Sequence, residues 1–227
     1  MVGKYKSIFV PTTGPDDWRQ LLAEPDKQWK TGCSAKELAY CWEMAEGFPA
    51  EVEAVLRSQP EFASLEILFA VPEYKVFLPG GARPSQNDIF VLARNSGGLV
   101  VIMVEGKVSE PFGPTLGDWL AETTSGKVKR LSYLRSVLRI RGEISEKMRY
   151  QLLHRTASAL IVAERFCAKN AVMLVHSFSA ESAWFDDYAA FLELYGVTAK
   201  TGVLHNVLDE SVPNLFCGWV KGVSGGR

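Results

Sequence analysis

QNDIFVLARNSGGLVVIMVEGKVSEPFG, residues 86–113, reads as two apolar strands joined by a tight turn. The pattern predicts one strand over Asp88–Arg94 and a second over Leu99–Lys107. The linker Asn95-Ser96-Gly97-Gly98 is hairpin chemistry, because its glycines and asparagine tolerate positive φ. If Arg94 pairs with Leu99, the register sets Asp88 opposite Glu105. Like charges facing each other across strands are destabilising. Burying them in a sheet this apolar is costlier still, unless a positive group sits between them. A divalent cation would be such a group, and Lys107 shares the strand face of Glu105. Two carboxylates and a lysine around one metal are parts for phosphodiester hydrolysis. Turns of two or four residues keep Asp88 opposite Glu105, whereas a three-residue loop or a bulge sends the carboxylates to opposite faces. The plain alternative is that Asp88 caps its strand and Glu105 pairs with Lys107 under solvent.

The rest of the chain places this hairpin in a mixed α/β domain, with a central sheet between helical layers. A length of 227 residues suits a single domain with a sizeable core. Residues 1–60 read as a helical N-terminal part, 61–180 as the core and 181–227 as a C-terminal helix and strands. Helices are expected over Asp16–Glu24, Ser34–Glu46 and from Pro49 to about Ser58. Ser34 with Glu37 has the capping-box pattern, and Leu38, Cys41, Trp42 and Ala45 form an apolar stripe. Leu65–Ala70 and Tyr74–Leu78 read as two strand pieces, and Pro79–Gln86 as a loop. Pro111–Gly126 reads as a loop with a helical turn around Trp119. Helices follow over Lys127–Ile140, with Val128, Leu131, Leu134 and Leu138 inward, and over Glu146–Cys167. Ala171–Ser179 is a buried strand, Glu181–Tyr195 a helix, and Gly202–Leu208 and Leu215–Lys221 are strands.

Composition is that of a soluble globular protein, 47% apolar and 22% charged. A formal net charge of −1 provides no global field toward nucleic acid, so any such affinity rests on a local patch. The densest basic run is Lys127, Lys129, Arg130, Arg135, Arg139 and Arg141, and Arg135 and Arg139, one turn apart, could track a phosphate backbone. A solvated helix face explains the run equally well. Cys33, Cys41, Cys167 and Cys217 lack CxxC spacing, and their apolar neighbours predict reduced core residues. The start MVGKYKSIFVPTTG lacks the apolar run of a secretory signal, and no stretch reaches the roughly 20 apolar residues of a membrane span. A cytoplasmic protein without a membrane partner is the expectation.

Gln151, Arg155 and Ser158 fall on one face of the helix that contains KMRYQLLHRTASALIVAERF. His154 and His176, both flanked by apolar residues, read as hydrogen-bonded core residues, because no Cys or second His has ligand spacing. His176 with Ser177 and Ser179 lacks a G-x-S-x-G elbow. The Gly-rich loop LPGGARPSQND lacks the P-loop pattern and reads as a loop beside the site. The six tryptophans are scattered and read mostly as core anchors.

Asp88, followed after a short antiparallel hairpin by Glu105-Gly106-Lys107, resembles the PD-(D/E)xK nuclease superfamily. The core order of that superfamily, helix, three strands, helix and strand, resembles residues 34–178 here. The whole chain is also similar to a group of bacterial proteins of unknown function. Asn87 stands where the superfamily has proline. The resemblance implies a restriction-endonuclease-like core with an N-terminal helical extension. It implies a Mg²⁺ (or Mn²⁺) ion held by Asp88, Glu105 and the Gly106 carbonyl. Lys107 would orient or deprotonate the attacking water and help neutralise the transition state. Gln151 and Arg155 become supporting candidates, and Glu43 or Glu51 a carboxylate from the first helix. Glu43, off the apolar stripe, reads more simply as a solvated residue. The implied substrate is nucleic acid, with DNA foremost and Lys129, Arg130, Arg135 and Arg139 as contacts. A homodimer is left open. The reading from a different class is a non-catalytic binding or scaffold protein that kept the fold.

Overall fold

Among the residues described by the computed structural model, residue 8, 12–208 and 213–223, six strands form one mixed sheet. They are β1 (Glu66–Val76), β2 (Ser85–Asn95), β3 (Gly98–Lys107), β4 (Asn170–Ser177), β5 (Leu204–Leu208) and β6 (Asn214–Lys221), in the order β1-β2-β3-β4-β6-β5. The first three form an antiparallel meander, β3, β4 and β6 run parallel, and β5 returns antiparallel to β6. A parallel step needs a long crossover. The segment between β3 and β4 contains α4 (Leu116–Leu120), α5 (Ser125–Val137) and α6 (Tyr150–Arg165).

The other helices are α1 (Pro25–Gln28), α2 (Ser34–Glu43), α3 (Ala50–Leu56) and α7 (Phe185–Glu193), with 3₁₀ turns at Pro15–Leu21 and Pro60–Phe62. Strands β3 and β4 are apolar on both faces because both faces are covered. Val101, Met103 and Val175 belong to the core under α6, with Leu152, Leu153 and Ala157. Val100, Ile102 and Val104 belong to the core under α2 and α3, with Leu38, Trp42 and Val52. Each such aliphatic side chain, fully buried, contributes roughly 1.5–3 kcal/mol. The fold is therefore α/β, a mixed sheet flanked by helices. No helix among the described residues is long and apolar enough to cross a membrane. Most of the opening stretch, residues 1–7 and 9–11, lies outside the described residues.

Several local expectations are corrected. β1 is one continuous strand, not two pieces, with a register shift between Ile67 and Phe69. Pro72 is tolerated in it because, among the described residues, β1 is the outermost strand of the sheet, with Ile8 bridging it only at Ala70, so the missing N–H costs no described ladder bond. β2 begins at Ser85, inside the expected loop. α2 starts from Cys33 with no side-chain cap, so Ser34 and Glu37 form no capping box; one forms instead between Thr115 and Asp118 at α4. α6 starts at Tyr150 and α7 at Phe185, each about a turn late. On α5, Val128 is 54% exposed and Arg130 takes the inward place. Cys217 is buried, Cys33 and Cys41 are half-buried, and Cys167 is exposed; all four are free thiols. Trp18, Trp42 and Trp219 are buried core anchors, whereas Trp29, Trp119 and Trp184 are only half-buried.

Candidate active site

The hairpin turns on Ser96 and Gly97, with Asn95 paired to Gly98 and Arg94 to Leu99. The Asn95 Oδ1 accepts the Gly97 N–H at 2.9 Å, the local side-chain bond that makes asparagine a turn former. The register then runs unbroken to Ile89↔Val104, so the next positions, Asp88 and Glu105, face each other at the end of the ladder. The Gly106 N–H donates to Asp88 Oδ2 at 2.7 Å, bringing that carboxylate onto β3.

Glu105 is 3% exposed and its charge is fully engaged. Its Oε1 accepts from Lys107 Nζ at 2.6 Å and from Gln151 Nε2 at 2.8 Å. Its Oε2 accepts from Arg155 Nε at 2.5 Å. Burial alone would push its carboxyl group up, but the charges of Arg155 and Lys107 outweigh it and hold the pKa below the usual value. Arg155 is itself positioned, with Nη1 3.3 Å from Ser85 Oγ, which lies 2.8 Å from His154 Nδ1. Burial, then Arg155 and Arg130, hold His154 well below its ordinary pKa, so the ring is neutral. Lys107, also 3% exposed, lies over the Phe112 ring at 4.9 Å.

Asp88 lacks such compensation. Among the described residues its nearest cation is Arg155 Nη2, at 4.0 Å from Oδ1. Burial first, then Glu105 and Glu73, raise its pKa well above the usual value. Glu73, unremarked in the sequence, stands beside it. The pairs Pro72↔Ile89 and Tyr74↔Asn87 set Glu73 across from Asp88. Burial pushes Glu73 up to about 7, and Gln86 Nε2 donates to its Oε2 at 2.6 Å. Glu73, Asp88, Glu105, Lys107, Gln151 and Arg155 all line one cleft of about 560 Å³. Glu110 also lines it and accepts from the backbone N–H groups of Ser34, Val108 and Ser109. Gln151 Oε1 is fully buried and has no hydrogen-bond partner in the protein. Two under-compensated carboxylates lining one cleft with a side chain whose oxygen is unsatisfied are a donor set that fits Mg²⁺ or Mn²⁺.

Residues 11–224 match DUF6946, a domain of unknown function. The chain belongs to the DUF6946 family. No curated protein and no solved structure matches it. The family's description assigns no chemistry, so the site of this DUF6946 chain is read from its geometry alone.

The other candidates fall in different places. Gly106 has a packing duty: a Cβ there would stand 2.4 Å from Leu38 Cδ1 and 3.1 Å from Ser34 Cβ, so only glycine lets α2 approach β3 this closely. Glu43 is not at the cleft. It accepts from Thr12 Oγ1 and Trp18 Nε1, tying the N-terminal segment to α2, so it is neither a ligand nor simply solvated. Arg130 is corrected as a nucleic-acid contact. It is 8% exposed and its guanidinium donates to the carbonyls of Leu78, Pro79 and Gly81. Arg139 lies beyond the end of α5 at φ 54°, so it does not follow Arg135 on a helix face, and Arg135 donates to the Gly142 carbonyl. Lys129 is exposed. Ser158 donates back to the His154 carbonyl and does not reach the cleft.

On the opposite sheet face, Cys41, Glu51 and His176 come together, a cluster that ligand spacing in the sequence did not reveal. Glu51 Oε1 lies 3.3 Å from both Cys41 Sγ and His176 Nε2. The tautomer argues against metal ligation. Trp42 Nε1 donates to His176 Nδ1 at 3.2 Å, so in the neutral ring the proton sits on Nε2 and is aimed at Glu51. Burial keeps His176 below its usual pKa, and the His176 contact leads the effects that hold Glu51 down to about 2. Burial, then Glu51, raises Cys41 far out of the thiolate range. The cluster is a polar clamp between α2, α3 and β4, hydrogen-bonded from Trp42 to His176 and from Cys41 to Glu51, while His176 Nε2 comes within 3.3 Å of Glu51 without hydrogen-bond geometry.

Proposed function

We propose that this chain is a Mg²⁺- or Mn²⁺-dependent phosphodiesterase acting on nucleic acid, DNA foremost, built on a restriction-endonuclease-like core. The observation that carries the reading is the convergence of Asp88, Glu105 and Lys107 in one cleft, with Gln151 and Arg155 on Glu105. The cleft lies past the carboxyl end of β3, where open α/β sheets place their ligands. Asp88 and Glu105 would hold the divalent ion, Glu105 exchanging one of its present partners for it, and the ion would polarise the scissile phosphate and offset its charge. Lys107 Nζ orients the attacking water and stabilises negative charge developing on the phosphoryl oxygens. Gln151 and Arg155 hold Glu105 in place, so the charges stand ready before substrate arrives. Four free thiols fit a reducing compartment, and we propose the cytoplasm as the setting.

A second reading has an observation of its own. Both Glu105 oxygens are already taken by Lys107, Gln151 and Arg155, which is also what a binding or scaffold protein with a sealed, self-neutralised site would show. Incubation of plasmid and single-stranded DNA with Mg²⁺ or Mn²⁺ separates the two. The phosphodiesterase reading expects cleavage by the wild-type chain and none by Lys107→Ala. Equal cleavage by both, or none by either, removes it.

A further inference from the structure

We propose that Glu73, together with Asp88, forms the divalent-cation site of the cleft, and that Glu105 serves chiefly to anchor Arg155 and Lys107. This rests on the metal-dependent reading above and changes its ligand set. Three adjacent strands bring Glu73, Asp88 and Glu105 into one row, because the registers of β1 on β2 and of β2 on β3 both centre on Asp88. The positive charges are unevenly shared along that row. Lys107 and Arg155 both reach Glu105 within hydrogen-bonding distance. Arg155 comes no nearer than 4.0 Å to Asp88, and among the described residues no Lys or Arg nitrogen lies within 4.0 Å of Glu73.

Glu73 and Asp88, neither hydrogen-bonded to a Lys or Arg side chain, line the same cleft as Gln151, whose buried Oε1 has no hydrogen-bond partner in the protein. Buried polar atoms are normally satisfied, so that oxygen calls for a donor or a cation. Glu73 Oε2 is held by Gln86 and Asp88 Oδ2 by Gly106, which fixes both side chains while their second oxygens point away from those bonds. Glu73 also sits at φ 54°, in the left-handed region, within a strand. Backbone strain of this kind persists where the surroundings impose it and gathers at functional sites. Glu43 and Glu51, the carboxylates that a helix would contribute, accept hydrogen bonds from Trp18 and Cys41 instead.

Mn²⁺ titration of the full-length chain, read from the electron paramagnetic resonance of free Mn²⁺, tests the assignment without any substrate. The wild type is expected to bind. Glu73→Gln and Asp88→Asn are each expected to weaken binding by about tenfold or more, the scale of loss when metal-site residues are removed. Glu73→Asp is expected to recover part of the loss, and circular dichroism of each variant confirms the fold. Mn²⁺ affinity unchanged in Glu73→Gln, or no binding by the folded wild type, overturns the inference. The two proposals fail separately. Glu73-dependent Mn²⁺ binding without DNA cleavage keeps the cation site and removes the nuclease. Cleavage with Mn²⁺ affinity indifferent to Glu73 keeps the nuclease and removes this ligand.

Discussion

Arg155 on α6 donates its Nε to Oε2 of Glu105 on β3, joining the helix that crosses the sheet to the strand that ends in the cleft. Both side chains are largely withdrawn from water, at 11% and 3% exposure. Removing one partner of a buried pair strands the other charge, which costs about 3–5 kcal/mol. Arg155→Met is therefore expected to lower unfolding free energy by that order in urea denaturation. Because either single change already breaks the contact, the double variant Arg155→Met with Glu105→Gln should lose less than the sum of the two single losses. Full additivity of the two losses would mean that the residues do not act as a pair.

Stability without metal should depend on pH through Glu73 and Asp88. Their folded pKa values are raised, so the folded chain holds protons that the unfolded chain releases. Stability then falls as pH rises from the ordinary value of 4.5 through about 7 for Glu73, by on the order of 3 kcal/mol. His176, with its lowered pKa, works in the opposite sense below its ordinary 6.5. Glu73→Gln isolates the effect: its thermal midpoint should match the wild type near pH 4 and exceed it at pH 8. A wild type as stable as the variant at pH 8 would contradict the burial of an uncompensated Glu73 carboxylate.

Gly106→Ala should destabilise the chain by about 1–3 kcal/mol, the usual cost of overpacking. The new methyl group meets Leu38 Cδ1 at 2.4 Å and Cγ at 2.9 Å. Leu38→Ala destabilises by opening a cavity, yet in the double variant the methyl group finds room. Denaturation of all four chains should show favourable coupling between the sites. Without coupling, α2 does not rest on Gly106.

The reach and the limits of the sequence are visible in individual residues. The register of Asp88 on Glu105 was legible because Asn95-Ser96-Gly97-Gly98 admits few turns and period-2 packing forbids a slip by one. Helical spacing put Gln151 and Arg155 on one face, and the resemblance alone made them candidates for the site; the structure sets both on Glu105. Glu73 was not legible, since β1 reaches β2 through the longer segment 77–84, and nothing local sets its register or the positive φ of Glu73. Arg130 was misread because a periodic stripe favours Val128; the desolvation of Arg130 is offset by three carbonyls of a loop some fifty residues earlier. The clamp at His176 was invisible for the same reason: its partners lie on separate helices, far apart in the chain.

His176 should be a neutral Nε2–H tautomer at pH 7, with Nδ1 accepting from Trp42. Long-range ¹⁵N–¹H spectra distinguish the two ring nitrogens directly. Addition of Zn²⁺ should leave these signals in place. A Zn²⁺-induced shift of Nε2 with loss of its proton would convert the clamp into a metal site.

The central claim is that the cleft at Asp88 takes a divalent cation. The most direct measurement is the anomalous difference map of a crystal of the full chain soaked in Mn²⁺. A peak at a coordination distance of roughly 2.0–2.2 Å from an Asp88 oxygen, lined also by Glu73 or Glu105, is the predicted result. A cleft without a peak at saturating Mn²⁺, with Lys107 and Arg155 still closed on Glu105, would contradict it.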